Sequence, residues 1–145
     1  MQSMYFDNFL TEKECEHWIN FIKNLNQDEL NSDIKHNVMD SELSNSFAKR
    51  YIKDAKGSGR VTFVQYGENS KGLGRHKDFI GEKNVTKTCI IYLNENSGNL
   101  ILYSLENCSK KEIEPKSGRL VVFDIDVEHE ALPPKGKKYA IIFRI

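Results

Sequence analysis

The sequence predicts a mainly β fold with N-terminal helices, an α+β arrangement in which two helices support a jelly-roll, cupin-like barrel. Three observations carry this. A helix-start signal opens a stripe of apolar residues at helical spacing. The apolar period changes after Gly57-Ser58-Gly59. Beyond Arg60, short β-branched runs alternate and are separated by turn residues.

Thr11-Glu12-Lys13-Glu14 is a capping box, a threonine followed three residues later by a glutamate. Cys15, Trp18, Ile19, Ile22 and Leu25 then form one apolar stripe, so a helix is expected over 11–25, with Phe6 and Leu10 packing at its entry. Residues 26–40 are polar and turn-rich. A second helix is expected over 41–55, its face made by Leu43, Phe47, Ala48, Tyr51 and Ile52. Strands are expected at 60–66, 87–93, 99–103, 112–113, 119–123 and 138–144, with a short one at 128–132. The turns between them are Gly67-Glu68-Asn69, Asn94–Gly98, Lys116-Ser117-Gly118 and Pro133–Gly136. One domain over 1–145 is expected, with helical support to about residue 58 and the barrel from 60. A barrel of this kind has a mouth where a cofactor can sit.

Lys and Arg total 21, as do Asp and Glu, so the formal net charge is zero. That argues against binding nucleic acid through bulk electrostatics. Cys15, Cys89 and Cys108 are odd in number and widely spaced, which fits neither a disulfide framework nor a zinc cluster. The first residues, MQSMYFDNFL, lack a basic segment and a long apolar run, and no stretch reaches the roughly 18 apolar residues of a membrane span. A soluble, cytoplasmic protein is expected, of unspecified oligomeric state.

His76-Lys77-Asp78 carries the chemistry, answered by His129. On an extended segment, residues i and i+2 point to one face, so both side chains can reach one metal. His129 follows 51 residues after Asp78, at a strand–turn unit able to close the set from a neighbouring strand. Two histidines and one carboxylate form the facial set that holds non-haem Fe(II) and leaves coordination positions open. Lys138 opens an apolar strand, which would put an ammonium at the edge of a dry barrel, and Lys137 is its rival, since alternation turns one of the two outward. Tyr92, on strand 87–93, could offer a hydroxyl to the same acidic ligand. His17 and His36 are expected at the surface.

These blocks resemble a 2-oxoglutarate/Fe(II)-dependent dioxygenase, and within that superfamily the prolyl 4-hydroxylase-like branch. FDNFLTEKECEHWINFIK is similar to the helix that opens such domains, and QYGENSKGLGRHKD to the tyrosine–loop–H-x-D block. TCIIYLNENSGNLILY resembles the strand pair that follows. IEPKSGRLVVFD and VEHEALPPKGKKYAII resemble the stretch bearing the distal histidine and a co-substrate cation. The resemblance covers nearly the whole chain and implies a double-stranded β-helix.

It implies that His76, Asp78 and His129 bind Fe(II), and that Lys138 binds the distal carboxylate of 2-oxoglutarate with help from Tyr92. Tyr66 falls on a pocket tyrosine and Leu100 on an apolar pocket wall. Leu73 replaces a further pocket tyrosine of the sensor-type members, and Arg144 replaces a tryptophan of many prolyl hydroxylases. Lys138 and Arg144 together resemble the R-x5-R of the nucleic-acid demethylase branch, where both cations contact 2-oxoglutarate. The implied activity uses O2 and 2-oxoglutarate, releases succinate and CO2, and hydroxylates a peptide or protein substrate at proline, with ascorbate as a further cofactor. Alkylated nucleic acid, a small molecule, or a non-catalytic metal-binding barrel are the alternatives. The loop Gly67–Arg75, Phe79–Val85 and Asn26–Asp40 are the candidate lids.

Overall fold

The computed structural model describes residues 3–30, 33–78, 84–104 and 109–145. Within them, the N-terminal part forms β1 (Ser3–Phe6), α1 (Glu12–Lys23), β2 (Asp28–Leu30), β3 (Ile34–Asp40) and α2 (Leu43–Tyr51). Then follow β4 (Arg60–Tyr66), β5 (Leu73–His76), β6 (Lys87–Tyr92) and β7 (Leu100–Tyr103). β8 (Lys110–Ile113), β9 (Leu120–Asp124), β10 (Glu128–Ala131) and β11 (Lys138–Arg144) complete the set. The strands make two antiparallel sheets, β1-β9-β6-β11-β4-β3-β2 and β5-β10-β7-β8, the two layers of a double-stranded β-helix. No described helix is long and apolar enough to cross a membrane.

The capping box holds α1 as expected: the Glu14 amide donates to Thr11 Oγ1 at 3.2 Å, and the Thr11 amide donates to Glu14 Oε1 at 3.0 Å. Such a cap is worth about 1 kcal/mol. The Glu14 carboxylate also accepts a bidentate pair from Arg50 of α2, at 2.6 and 2.9 Å, tying the two helices together.

Alternation along the central strands separates two apolar layers. Cys89, Ile91 and Leu93 of β6, with Tyr139, Ile141 and Phe143 of β11, face the helices and pack with Leu10, Cys15, Ile22, Phe47 and Ala48. Trp18 stacks on Phe63 at 5.9 Å in this layer, and Phe47 meets Phe143 at 5.6 Å. Ile90, Tyr92 and Ala140 face the other way, toward Leu100, Leu102 and Phe123 between the sheets. Each fully buried side chain of this size contributes about 1.5–3 kcal/mol. Cys15 and Cys89 are free thiols within the helix-side layer, and burial pushes Cys89 up to about 12.

Four expectations are corrected. Residues 26–40 do not form a loop over the barrel mouth: β2 and β3 extend the larger sheet, with β3 paired along its length from Ile34↔Tyr66 to Asp40↔Arg60. Their polarity reflects a sheet margin with one wet side, and the pairing with β4 supplies the order that the residues' own pattern does not. The first 58 residues are therefore not purely helical support, since β1, β2 and β3 all join the larger sheet. The stretch 67–75, expected as a loop, ends in β5, and the second helix is shorter than 41–55. Cys108 and residues 79–83 of the Phe79–Val85 segment lie outside the described residues.

Candidate metal centre

His76 and His129 stand directly opposite each other on the antiparallel pair β5 and β10. Their rings lie 4.4 Å apart between centroids. Asp78 follows two residues beyond His76, and ligand atoms of all three residues lie within 4.8 Å of one another. Gly72 brings β5 in: at φ +76° it adopts a conformation that suits glycine, and a Cβ there would meet the Ala131 carbonyl oxygen at 2.1 Å. A bulge completes the geometry. Leu73 pairs with Ala131 and His76 with His129, three steps along β5 against two along β10. Leu73 and His76 are an odd number of residues apart, yet both line the same cleft.

The ring nitrogens are assigned by their partners. His76 Nδ1 lies 2.6 Å from the Gly74 carbonyl oxygen, and His129 Nδ1 lies 3.0 Å from that of Val127. A carbonyl only accepts, so each Nδ1 carries a proton and each Nε2 presents its lone pair inward. Both Nε2 atoms point at the same oxygen, Asp78 Oδ1, at 3.5 Å from His76 and 3.2 Å from His129. Neutral rings so oriented turn two nitrogen lone pairs and a carboxylate oxygen toward one point, which suits a cation. Hydrogen bonding to Asp78 raises the His76 pKa despite partial burial. The donor set thus fits a divalent metal with open positions.

Asp78 is divided between two tasks. Its Oδ2 accepts from Arg144 Nη2 at 3.0 Å and from Thr88 Oγ1 at 3.2 Å, which leaves Oδ1 for the histidines. Burial alone would raise this carboxyl. Hydrogen bonds from His129 and His76 and the charge of Arg144 outweigh it, and the pKa falls well below the usual carboxylate range. Phe123 packs against the His129 ring at 4.9 Å and fixes it from behind. The centre is graded in exposure, from His129 (8%) through Asp78 (14%) to His76 (31%), so access is from the His76 side.

The cleft leading from these residues is lined by Val64, Tyr66, Leu73, Ile90, Tyr92 and Leu100, among others. Beside Tyr66 and Tyr92 lies Lys138, only 1% exposed, while Lys137 is exposed. Lys138 Nζ donates to the Gly98 carbonyl at 3.0 Å and sits 4.0 Å from the Tyr66 ring centroid and 5.9 Å from that of Tyr92. Burial among these walls lowers the ammonium pKa from 10.5 to about 8 and raises Tyr66 to about 12 and Tyr92 further. A cation held in so apolar a setting is suited to one end of a dicarboxylate.

Of the residues singled out in the sequence, His76, Asp78 and His129 meet in the cleft, Tyr66, Tyr92 and Leu100 line it, and Lys138 lies against the two tyrosines. Arg144 sits on the outer oxygen of Asp78. His17 is exposed on α1, and His36 lies on β3. Arg75 pairs with Glu128 at 2.5 Å and lies over the Tyr103 ring. Sequence reasoning missed Thr88. The signal was there: in Lys87-Thr88-Cys89-Ile90-Ile91-Tyr92 the hydroxyl shares the parity of Ile90 and Tyr92, and a buried polar group on an inner face needs a partner.

A family model for the 2OG-Fe(II) oxygenase superfamily matches residues 61–144. No curated protein matches by sequence. Among solved structures, a prolyl-4-hydroxylase from Pseudomonas putida is similar with a TM-score of 0.77 at 16% identity, covering 98% of this chain and 90% of that one. A prolyl hydroxylase from Trichoplax adhaerens, solved with a hypoxia inducible factor oxygen degradation domain peptide fragment, gives 0.77 at 21% identity, covering 98% and 82%. HygX from Streptomyces hygroscopicus, solved with nickel and 2-oxoglutarate, gives 0.73 at 11% identity, covering 98% and 81%. These likenesses establish a common fold.

Proposed function

Since the chain belongs to the 2OG-Fe(II) oxygenase superfamily, we propose that it hydroxylates a peptide or protein substrate, at proline, with 2-oxoglutarate as co-substrate. His76, Asp78 and His129 would hold Fe(II), and Lys138 would hold the distal carboxylate of 2-oxoglutarate beside Tyr66 and Tyr92. The metal supplies the oxidative chemistry, in which 2-oxoglutarate and O2 give succinate and CO2 and one oxygen atom enters a substrate C–H bond.

The chain's own residues bind, orient and exclude water. Gly74 and Val127 carbonyls keep the Nε2 lone pairs of His76 and His129 inward. Thr88 and Arg144 hold Asp78 so that one oxygen remains for the metal. Val64, Ile90, Leu100 and Ala140 keep the cleft dry between its two ends.

One observation carries the reading: a buried lysine, nine residues after His129, lies against Tyr66 and Tyr92, which line the same cleft as the three candidate ligands. Two solved prolyl hydroxylases share the fold over nearly all of this chain, which supports a peptide substrate. Zero net charge supports it over nucleic acid. The test is 2-oxoglutarate consumption by the iron-loaded protein, with proline-containing peptides and methylated oligonucleotides offered in parallel. Stimulation by peptide, with a mass gain of one oxygen on proline, is expected. Stimulation by the oligonucleotide alone would reassign the substrate, and no consumption under any condition would leave a non-catalytic barrel.

A further inference from the structure

Lys138 is the first residue of its strand, next to a turn, where the backbone would ordinarily be least constrained. Here it is held on both sides. On one side it pairs with Tyr66 of β4. On the other, the Leu93 amide donates to the Tyr139 carbonyl at 3.0 Å, after which the ladder is continued by a side chain. The Asn94 carboxamide accepts from the Tyr139 amide at 3.0 Å and donates to the Lys137 carbonyl at 2.8 Å. These two bonds straddle Lys138 and imitate one further rung of sheet.

The other end of the same side chain is held by the same loop. Lys138 Nζ donates to Gly98. Asn96, itself buried, accepts from the Gly98 amide at 2.8 Å and from the Lys135 amide at 3.2 Å, and donates to the Lys135 carbonyl at 2.8 Å. Gly98 has no room for a side chain: a Cβ would stand 2.9 Å from both the Leu132 carbonyl oxygen and Pro134 Cα. Asn96 and this close packing fix the carbonyl that receives the ammonium to the turn that delivers the lysine.

We propose that Asn94 and Asn96 are positioning residues for the co-substrate lysine, Asn94 setting its backbone and Asn96 the carbonyl that orients its ammonium. The segment Asn94-Glu95-Asn96-Ser97-Gly98 is then part of the 2-oxoglutarate site although neither asparagine lines the cleft. A lysine carries several rotatable bonds, and fixing both its ends removes the freedom that would otherwise be lost when the ligand binds. The inference rests on the reading of Lys138 as the anchor, and the experiment separates the two.

The test is a double-mutant cycle on 2-oxoglutarate affinity, measured by calorimetry on the Mn(II)-loaded protein. Asn94→Ala is expected to weaken binding about tenfold in the wild-type background and to have no effect in the Lys138→Ala background. Asn94→Asp, which keeps the acceptor for the Tyr139 amide and loses the donor to Lys137, is expected to fall between wild type and Asn94→Ala. Mn(II) affinity should stay unchanged in both, which general loosening of the fold would not allow. An equal loss in both backgrounds would overturn the positioning role, since the effect would not pass through the lysine. No loss in the wild-type background would overturn it as well. If Lys138→Ala itself binds 2-oxoglutarate as wild type does, the anchor reading fails and this inference fails with it. Asn96→Ala provides a second entry to the cycle should Asn94→Ala not fold, with the same outcomes expected.

Discussion

Acceptor atoms from His76, Asp78 and His129 converge near the Arg144 end of β11, whereas at the other end of that strand the Lys138 ammonium lies among aromatic walls. The acceptor end is built from different elements that meet, β5, β10 and the residues just after β5, with Arg144 and Thr88 reaching in from β11 and β6. The lysine end is one strand terminus embraced by a single short loop. Such an arrangement would suit a ligand that bears a chelating group at one end and a lone carboxylate at the other.

Removing the charge at either end should break this contrast, with the largest effect at the ligands. Asp78→Ala is expected to abolish Fe(II) binding while leaving the circular dichroism spectrum intact, because the carboxylate would be a ligand and is the group both histidines face. Normal metal binding by that variant would refute the metal assignment. Lys138→Ala is expected to weaken 2-oxoglutarate binding on the order of 100-fold, the cost of stranding a buried carboxylate, while Lys137→Ala leaves it unchanged. Equal effects of the two would show that neither lysine acts as the anchor.

Smaller changes sharpen the comparison. Thr88→Val removes one of the bonds that hold Asp78 Oδ2 and preserves side-chain shape, so metal affinity should fall about tenfold. Affinity for 2-oxoglutarate measured on Zn(II)-loaded protein across a pH series supplies the last test. Lys138 loses its proton near pH 8, so binding should weaken above that value by at most about tenfold per pH unit. Folding responds with the opposite sign. The unfolded chain keeps this proton to about 10.5, so the lysine's contribution to stability rises between about pH 8 and 10.5 as ligand affinity falls. Lys138→Met should remove both trends.

The two ends also differed in how readily they could be read from sequence. Strands 60–66 and 138–144 were legible to the residue, because buried central strands carry their own apolar signature. The capping box of α1 was legible because its bonds are local. His76, Asp78 and His129 were legible as residue types at a suitable spacing. Lys138 over Lys137 followed from alternation together with the family resemblance, and Lys138 is the buried one of the two. β3 and β5 were not legible, since Ile34–Asp40 and Leu73–His76 are strands by virtue of their partners. Nor was the Asn94–Gly98 loop, whose asparagines look like ordinary turn residues until the strand they replace is seen.

The extra residue in β5 has a consequence for any comparison of related chains. Alternation counted through 73–76 without a break would turn Leu73 away from the cleft whenever His76 faces it, whereas both line it. An alignment that treats this strand as uninterrupted exchanges inside for outside at one residue beside the metal. A chain lacking one residue here could keep the same H-x-D motif and present a different neighbour to the substrate. Gaps at positions 74–75 therefore carry information about selectivity that identity at 76 and 78 does not.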